Sequence, residues 1–163
     1  MYMLCIAAAR KTIRLSASYY VPDKLTTQEF IEATERGVKV EIIVPGAKTD
    51  AAIVKHASRA RWGSLLRAGV KIYEYQPTMY HHKMMIVDDV FVSVGSANFG
   101  NRSFRLNDEA NLNVFSHDFA AQQARVFEDD KQHSREVTYQ DWNHRGWWMR
   151  FMEILSTPFR SQL

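Results

Sequence analysis

YHHKMMIVDDVFVSVGSANFGNRS, residues 80–103, contains two apolar runs on either side of an Asp-Asp pair. The runs at 80–87 and 90–96 have the length and the apolar, β-branched content of strands. Asp88 and Asp89 between them are typical of the tight turn that joins two antiparallel strands. The sequence therefore predicts a β-hairpin.

Six polar or small residues in this stretch follow the spacing H-x-K-x4-D-x6-G-S-x-N, and they are His81, Lys83, Asp88, Gly95, Ser96 and Asn98. Side chains alternate between the two faces of a strand, so His81 and Lys83 point the same way and His82 points to the other face. Gly95 permits a close approach of the backbone to a ligand. The pattern indicates one polar site carried by the hairpin.

The side chains of this pattern suit the chemistry of a phosphate diester. A neutral imidazole such as that of His81 can attack phosphorus, and an imidazolium can protonate a departing alcohol. Lys83 offers a positive charge to a non-bridging oxygen, while Ser96 and Asn98 can donate to oxygens that gain charge in the transition state. We expect no metal ion or other cofactor, because the remaining histidines and the single cysteine lack metal-ligand spacing. These are His56, His117, His133, His144 and Cys5.

Two carboxylates are expected to have different roles. Asp88 is five residues after Lys83, on the opposite face and at the turn, so it is predicted to orient the backbone rather than contact substrate. Glu109 precedes a predicted strand at 110–115 that can lie beside the hairpin. A carboxylate bound to one ring nitrogen of His81 would leave the other nitrogen available for chemistry, so Glu109 is the predicted partner of that ring. The alternative for Glu109 is an exposed surface carboxylate.

The composition sets the broad class of the protein. A chain of 163 residues with 46% hydrophobic and 24% charged residues is typical of one globular domain. No apolar run approaches the roughly 20 residues that a membrane-spanning helix needs. The single cysteine allows no internal disulfide, and the net charge of +3 favours anionic partners only weakly.

Strand and helix patterns alternate before the hairpin. Strands are predicted at 13–21, 38–44 and 70–75, with helices between them, and an amphipathic helix is predicted at 118–135. Alternation followed by a run of strands predicts an α/β sandwich with a mixed β-sheet flanked by helices. The first residues resemble the end of a helix, so we expect the chain to begin inside a longer architecture.

The last residues, 141–163, are predicted to form a C-terminal amphipathic segment that follows a catalytic half domain at 1–140. Aromatic and apolar residues alternate there with arginines; they are Trp142, Trp147, Trp148, Phe151, Met152, Ile154, Leu155 and Phe159, with Arg145, Arg150 and Arg160. Such a segment can lie in the headgroup layer of an anionic membrane. The alternative is a helix docked on its own domain.

At the six spaced residues this sequence resembles the phospholipase D superfamily, whose signature has the same spacing. The stretches YEYQPTMYHHKMMIVDD, GSANFGNRSFRLNDEANL and FRSQL resemble the C-terminal half of bacterial cardiolipin synthases, so the likeness covers nearly the whole chain. The resemblance implies a phospholipase D-like sandwich that is one half of a two-lobed architecture. It also implies a site composed of His81, Lys83, Asp88 and Glu109, with Lys83, Ser96 and Asn98 binding the substrate phosphate.

In that superfamily two motifs meet at a pseudo-twofold interface. One histidine forms a phosphohistidine, the other protonates the departing alcohol, and an incoming alcohol then takes the phosphatidyl group. The nucleophile of two-motif members usually comes from the N-terminal motif, which would make His81 the general acid and base. This chain has one motif, so it is expected to be part of a two-motif enzyme or to pair with a second copy of itself.

The resemblance implies phosphatidyl transfer on an anionic phospholipid similar to phosphatidylglycerol, at the cytoplasmic side of a bacterial membrane. The alternatives are phospholipid hydrolysis and metal-independent cleavage of nucleic acid by a homodimer. Nucleic acid is the less expected partner, because a nuclease generally has a larger basic excess than +3. A non-enzymatic alternative is a lipid- or protein-binding half domain with an incomplete site.

Overall fold

The computed structural model describes residues 1–49, 52–100, 103–104 and 106–147. The strands of these residues are β1 (Thr12–Ala17), β2 (Tyr20–Val21), β3 (Lys39–Pro45), β4 (Lys71–Tyr75), β5 (Lys83–Val87), β6 (Phe91–Gly95), β7 (Phe99–Gly100), β8 (Asn111–Phe115) and β9 (Ser134–Val137). Their helices are α1 (Tyr2–Ala8), α2 (Lys24–Glu35), α3 (Ala52–Arg59), α4 (Trp62–Ala68), α5 (His117–Gln132) and α6 (Tyr139–Asn143).

A mixed sheet forms the middle layer of the fold. Its seven strands lie in the order β8-β6-β5-β1-β3-β4-β9, and β2 and β7 form a separate two-stranded sheet. The central strands β1, β3 and β4 are parallel, and each remaining strand of the larger sheet is antiparallel to its neighbour. The α/β sandwich with a mixed sheet, predicted from the sequence, is therefore confirmed.

Different helices cover the two faces of the larger sheet. On one face, Met85 of β5 packs in a core that includes Phe30 of α2 and Leu65 of α4. On the other face, Met84 packs in a core that includes Phe127 of α5. Adjacent methionines of β5 thus enter opposite cores, as the alternation of side chains along a strand requires.

The predicted β-hairpin forms, with β5 and β6 paired in antiparallel register. Asp88 and Asp89 have φ angles of 53° and 54°, and the Val90 N–H donates to the Val87 carbonyl at 3.2 Å. Two consecutive left-handed residues closed by this bond make a type I′ turn, whose twist matches that of the two strands. The first strand is shorter than predicted, because it begins at Lys83 rather than at residue 80.

Several other elements differ in their bounds from the sequence patterns. The predicted strand 13–21 is divided into β1 and β2, which belong to different sheets. Helix α2 begins at Lys24, and its cap is Asp23, whose carboxylate accepts from the Thr26 N–H at 2.7 Å. The predicted helix 118–135 ends at Gln132, because the next residues pair with β4 as strand β9.

The short helix α6 spans the predicted boundary between residues 140 and 141. Its Trp142 docks on the domain: the indole N–H donates to the Arg59 carbonyl at 2.7 Å, and the ring packs so closely on Gly63 of α4 that a Cβ there would clash. The predicted amphipathic segment beyond residue 147 lies outside the described residues, so a separate unit at 141–163 stays a prediction. Of the helices described above, none is long and apolar enough to cross a membrane.

Candidate active site

The residues of the motif, except Asp88, meet at one edge of the larger sheet. The parallel strands β1 and β3 end at this edge, where the antiparallel β5 begins. Lys83 is the first residue of β5 and Gly95 is the last residue of β6, while Glu109 lies just before β8. Because β8 pairs with β6, Glu109 lies beside the hairpin, as predicted. The carboxyl ends of parallel strands are a common location for ligand sites in α/β folds.

Glu109 is at the centre of a hydrogen-bonded cluster at this edge. Its carboxylate accepts from the Ser96 hydroxyl at 2.5 Å, the Ser103 hydroxyl at 2.7 Å and the Asn107 amide at 3.3 Å. The bonds from Ser96 and Ser103 lower the pKa of Glu109, and the charge of Lys83 lowers it further. Glu109 is therefore ionised at neutral pH, and Lys83 is close enough to interact with its charge.

Ser96 is fully engaged within this cluster. Its hydroxyl proton is donated to Glu109, and its oxygen accepts from the Ala110 N–H at 3.0 Å. A serine hydroxyl has a single proton to donate. Ser96 would thus have to exchange Glu109 for a phosphate oxygen in order to bind substrate as predicted. That role of Ser96 stays a prediction, whereas its contacts join the motif to β8.

Asn98 is held by two serines. Its backbone N–H donates to the Ser103 hydroxyl at 3.1 Å, and its Oδ1 accepts from the Ser18 hydroxyl at 2.8 Å. Since the oxygen of the amide is the acceptor from Ser18, the amide nitrogen is the atom that can donate to a ligand oxygen. The buried Ser18 also donates its backbone N–H to the His82 carbonyl at 2.9 Å.

His81 and His82 precede β5, and their rings contact different residues. The exposed His81 ring is edge-on to Tyr19, with 5.9 Å between ring centroids. The His82 ring lies 4.9 Å from that of Tyr80, and its Nδ1 is 3.3 Å from the Asp130 carboxylate of α5. The pairing of His81 with Glu109 stays a prediction, because the contacts of Glu109 found among the described residues are with hydroxyl and amide groups.

Asp88 lies at the far end of β5, roughly 17 Å along the strand from Lys83. Its carboxylate accepts from the backbone N–H groups of Arg10, Lys11 and Thr12 at 2.8, 2.7 and 2.9 Å. Partial burial would raise the pKa of Asp88, but these three N–H groups outweigh burial and hold the pKa below its usual value. These contacts agree with the expected role of Asp88 in organising the backbone, and they involve no substrate-binding group.

Sequence reasoning missed several side chains that hold the loop after β6. Asn111 accepts from the Ala97 N–H at 3.2 Å and donates to the Tyr2 hydroxyl at 2.6 Å. Gly95 is required because a Cβ there would clash with the carbonyl of Ala110. Ser103 and Asn111 lie in the stretch NRSFRLNDEANL, whose polar residues were the available signal, but only Glu109 was singled out from it.

Among the described residues, this edge offers hydrogen-bond donors and the cation of Lys83 to an anionic ligand. Lys83 can neutralise a phosphate oxygen, Asn98 can donate to another, and the exposed imidazole of His81 can reach a reacting phosphorus or oxygen. Within the part of the chain that the structure describes, no three His, Cys, Asp or Glu side chains are grouped so that they could hold a metal ion. The described donors therefore suit phosphate better than a metal.

Comparison with known proteins identifies the family. The profile of the family described as "Cardiolipin synthase, PLD-like domain" matches residues 2–131, and the chain belongs to this phospholipase D-like family. It is 38% identical to cardiolipin synthase A of Erwinia tasmaniensis and 33% identical to the cardiolipin synthase of Halalkalibacterium halodurans, over 94% of this chain in both cases. The chain covers only 31% and 30% of those two proteins.

Solved structures share the fold. The phosphatidylserine synthase of Haemophilus influenzae matches 99% of this chain and 44% of its own, with a TM-score of 0.79 and 15% identity. Nuc of Salmonella typhimurium, a phospholipase D family member, matches 83% of this chain and 88% of its own, with a TM-score of 0.74 and 22% identity. The predicted phospholipase D-like fold is thereby confirmed.

Proposed function

We propose that this chain supplies one catalytic half of a phosphatidyltransferase of the cardiolipin synthase type. The observation that carries the proposal is the convergence of Lys83, Asn98 and the Ser96–Glu109 pair beside the exposed His81. Membership of the cardiolipin synthase, PLD-like family supports the same chemistry. The substrate is an anionic phospholipid similar to phosphatidylglycerol, and the acceptor is a second alcohol.

The first step of the proposed reaction breaks one P–O bond. An imidazole nitrogen attacks phosphorus and forms a P–N bond, while a second imidazolium gives its proton to the departing alcohol oxygen. Lys83, Asn98 and Ser96 hold the non-bridging oxygens, whose charge grows in the transition state. Glu109 orients the His81 ring by accepting a hydrogen bond from a ring N–H. The lowered pKa of Glu109 keeps its carboxylate ionised, as this role requires.

The second step transfers the phosphatidyl group. The acceptor alcohol gives its proton to the imidazole that acted as the acid, its oxygen attacks phosphorus, and the P–N bond breaks. Both imidazoles then have their starting protonation. With water as the acceptor, the same steps give phospholipid hydrolysis, and the diester of a nucleic acid would be cleaved by the same groups.

The reaction needs a second imidazole. We propose that it comes from another motif-bearing half or from a second copy of this chain. In a two-motif enzyme His81 serves as the general acid and base. In a homodimer one His81 is the nucleophile and the other is the acid, across an isologous interface. The proposed substrate is a membrane lipid and the similar cardiolipin synthases are bacterial, so we further propose that the protein acts at a bacterial membrane, on its cytoplasmic surface.

The test compares two adjacent histidines on two substrates. Wild type, His81→Ala and the matched control His82→Ala are incubated with phosphatidylglycerol vesicles and with plasmid DNA, and sedimentation gives the oligomeric state. We expect wild type to form cardiolipin and free glycerol. His81→Ala should lower the rate by about a thousandfold or more, and His82→Ala by less than about tenfold. Circular dichroism checks that each variant is folded.

Other outcomes identify the alternatives. Phosphatidic acid without cardiolipin indicates a hydrolase, and cleavage of the plasmid alone indicates a nuclease. Binding to lipid or protein without turnover of either substrate, in an assembly that contains two motifs, indicates a non-enzymatic half domain. Full activity of a folded His81→Ala variant would contradict the assignment of the site.

A further inference from the structure

A groove of about 420 Å³ lies beside the cluster around Glu109. Its lining includes Glu109 itself and Ala97, the residue between Ser96 and Asn98 in the loop after β6, so it lies next to the candidate phosphate site. The opposite wall is formed by α1 and by the first turn of α2. A volume of this size is in the range that accommodates a small-molecule ligand.

The walls of the groove are largely apolar, and none of the lining side chains among the described residues is cationic. Met3, Leu25 and Phe104 line it, and the Leu25 side chain is well exposed at 60%. Its charged side chains, within the described chain, are the carboxylates of Asp23 and Glu109, which outnumber the one cationic group of the lining, the α-amino group of Met1. A further phosphate of a nucleic acid strand would be repelled here, whereas a hydrocarbon would remove apolar surface from water.

We propose that this groove binds the acylglycerol arm of the phospholipid whose phosphate lies against Lys83 and Asn98. The inference rests on the proposed phosphatidyltransferase function and specifies where that substrate lies. Ala97 and Glu109 border both the loop and the groove, so one ester arm of a diester bound at the loop extends beside Leu25 and Phe104. The other ester oxygen then remains on the side of His81, where an alcohol can leave or enter.

Binding in the groove makes turnover depend on acyl length. Each methylene that leaves water for an apolar wall improves kcat/KM by up to about fourfold, when the gain is realised in the transition state. A diester with butanoyl chains covers little of the groove, and one with octanoyl chains covers more. The ratio of kcat/KM for the two substrates therefore measures the contact with the groove walls.

The experiment measures this ratio with dibutanoyl and dioctanoyl phosphatidylglycerol, both kept below their micellar concentrations so that adsorption to a membrane plays no part. The protein is used in the assembly in which it is active. The variant is Leu25→Asp, and the matched control is Leu4→Asp, since Leu4 is 73% exposed on α1 and lies outside the groove. Both substitutions place an acid in the first turn of a helix, where a negative charge is tolerated.

We expect wild type to prefer the octanoyl substrate, and Leu25→Asp to lower the ratio by about tenfold or more while Leu4→Asp leaves it unchanged. If wild type and Leu25→Asp turn over both substrates with the same ratio of kcat/KM, the acyl chain does not bind in the groove, and the proposed function remains intact. Failure of wild type to turn over either lipid while it cleaves plasmid DNA would instead overturn the proposed function.

Discussion

Replacement of Asp88 tests whether this motif residue acts on the fold rather than on the substrate. Its carboxylate binds three consecutive backbone N–H groups, of Arg10, Lys11 and Thr12, and thereby joins the turn of the hairpin to the start of β1. Asp88 also has a left-handed backbone, with φ at 53°. Alanine would remove the acceptor and would disfavour this conformation.

The structure sets the size of the expected effect. Alanine in the left-handed region costs about 1–2 kcal/mol. Loss of the bonds to the carboxylate costs about 2–3 kcal/mol more, since water replaces the acceptor for the exposed donors. Asp88→Ala should therefore lower the free energy of unfolding by about 3–5 kcal/mol. Asparagine tolerates the left-handed backbone and keeps one oxygen, so Asp88→Asn should cost about 1–2 kcal/mol.

Urea unfolding followed by tryptophan fluorescence measures these differences. The control is Asp89→Asn, which keeps the turn and removes only the exposed ion pair with Arg14, at an expected cost of about 0–1 kcal/mol. The pH dependence has a defined sign, because the pKa of Asp88 is lower in the folded protein. Its contribution is complete above about pH 5 and is lost as the pH falls through the folded pKa, so the difference in stability between wild type and Asp88→Asn should shrink as the pH falls below about pH 4.

Two results would refute this view of Asp88. One is an Asp88→Ala variant as stable as wild type. The other is an Asp88→Asn variant that keeps wild-type stability but loses turnover as completely as a variant of His81, which would place the carboxylate in the chemistry.

Three further predictions concern the candidate site. Lys83→Ala should lower kcat/KM by about a hundredfold or more and Asp88→Asn by less than about tenfold, because Lys83 is the residue expected to contact phosphate. Steady-state kinetics in which Asp88→Asn is the more damaging substitution would contradict the assignment. Gly95→Ala should destabilise the fold by about 2 kcal/mol or more in urea, since its Cβ meets the Ala110 carbonyl, and an unchanged midpoint would be inconsistent with that packing. A chelator should leave turnover unchanged, because a fixed ammonium and N–H donors bind the phosphate, and inhibition reversed by added metal would argue otherwise.

Much of the fold could be predicted because its local signals agree with its tertiary contacts. The hairpin is an example: two apolar runs and the Asp88–Asp89 pair between them specify two strands and a turn without any long-range information. The division of the strand predicted at 13–21 could not be foreseen, because pairing with β5 ends at Ala17 and Tyr20 pairs with β7 instead. Strand β9 could not be predicted either, because the amphipathic pattern of the preceding helix continues to residue 135. Pairing with β4 ends that helix earlier.

For the candidate site, the sequence indicated which residue types lie near one another but not which of them are hydrogen-bonded. Spacing identified Lys83 and Asn98, and the order of elements brought Glu109 to the hairpin. The choice of hydrogen-bond partner at the site depends on distances of a few tenths of an ångström. The sequence therefore did not indicate that Ser96 and Ser103 donate to Glu109. Those bonds, together with the link from Asn111 to Ala97, depend on β8 lying beside β6.

Ser18 has a consequence for any movement of the site. Through its backbone it holds the residue that follows His81, and through its hydroxyl it holds the Asn98 amide. The histidine and the amide are thus attached to the same buried point at the end of β1. Any displacement of the end of β1 would therefore move the backbone next to His81 and the side chain of Asn98 together.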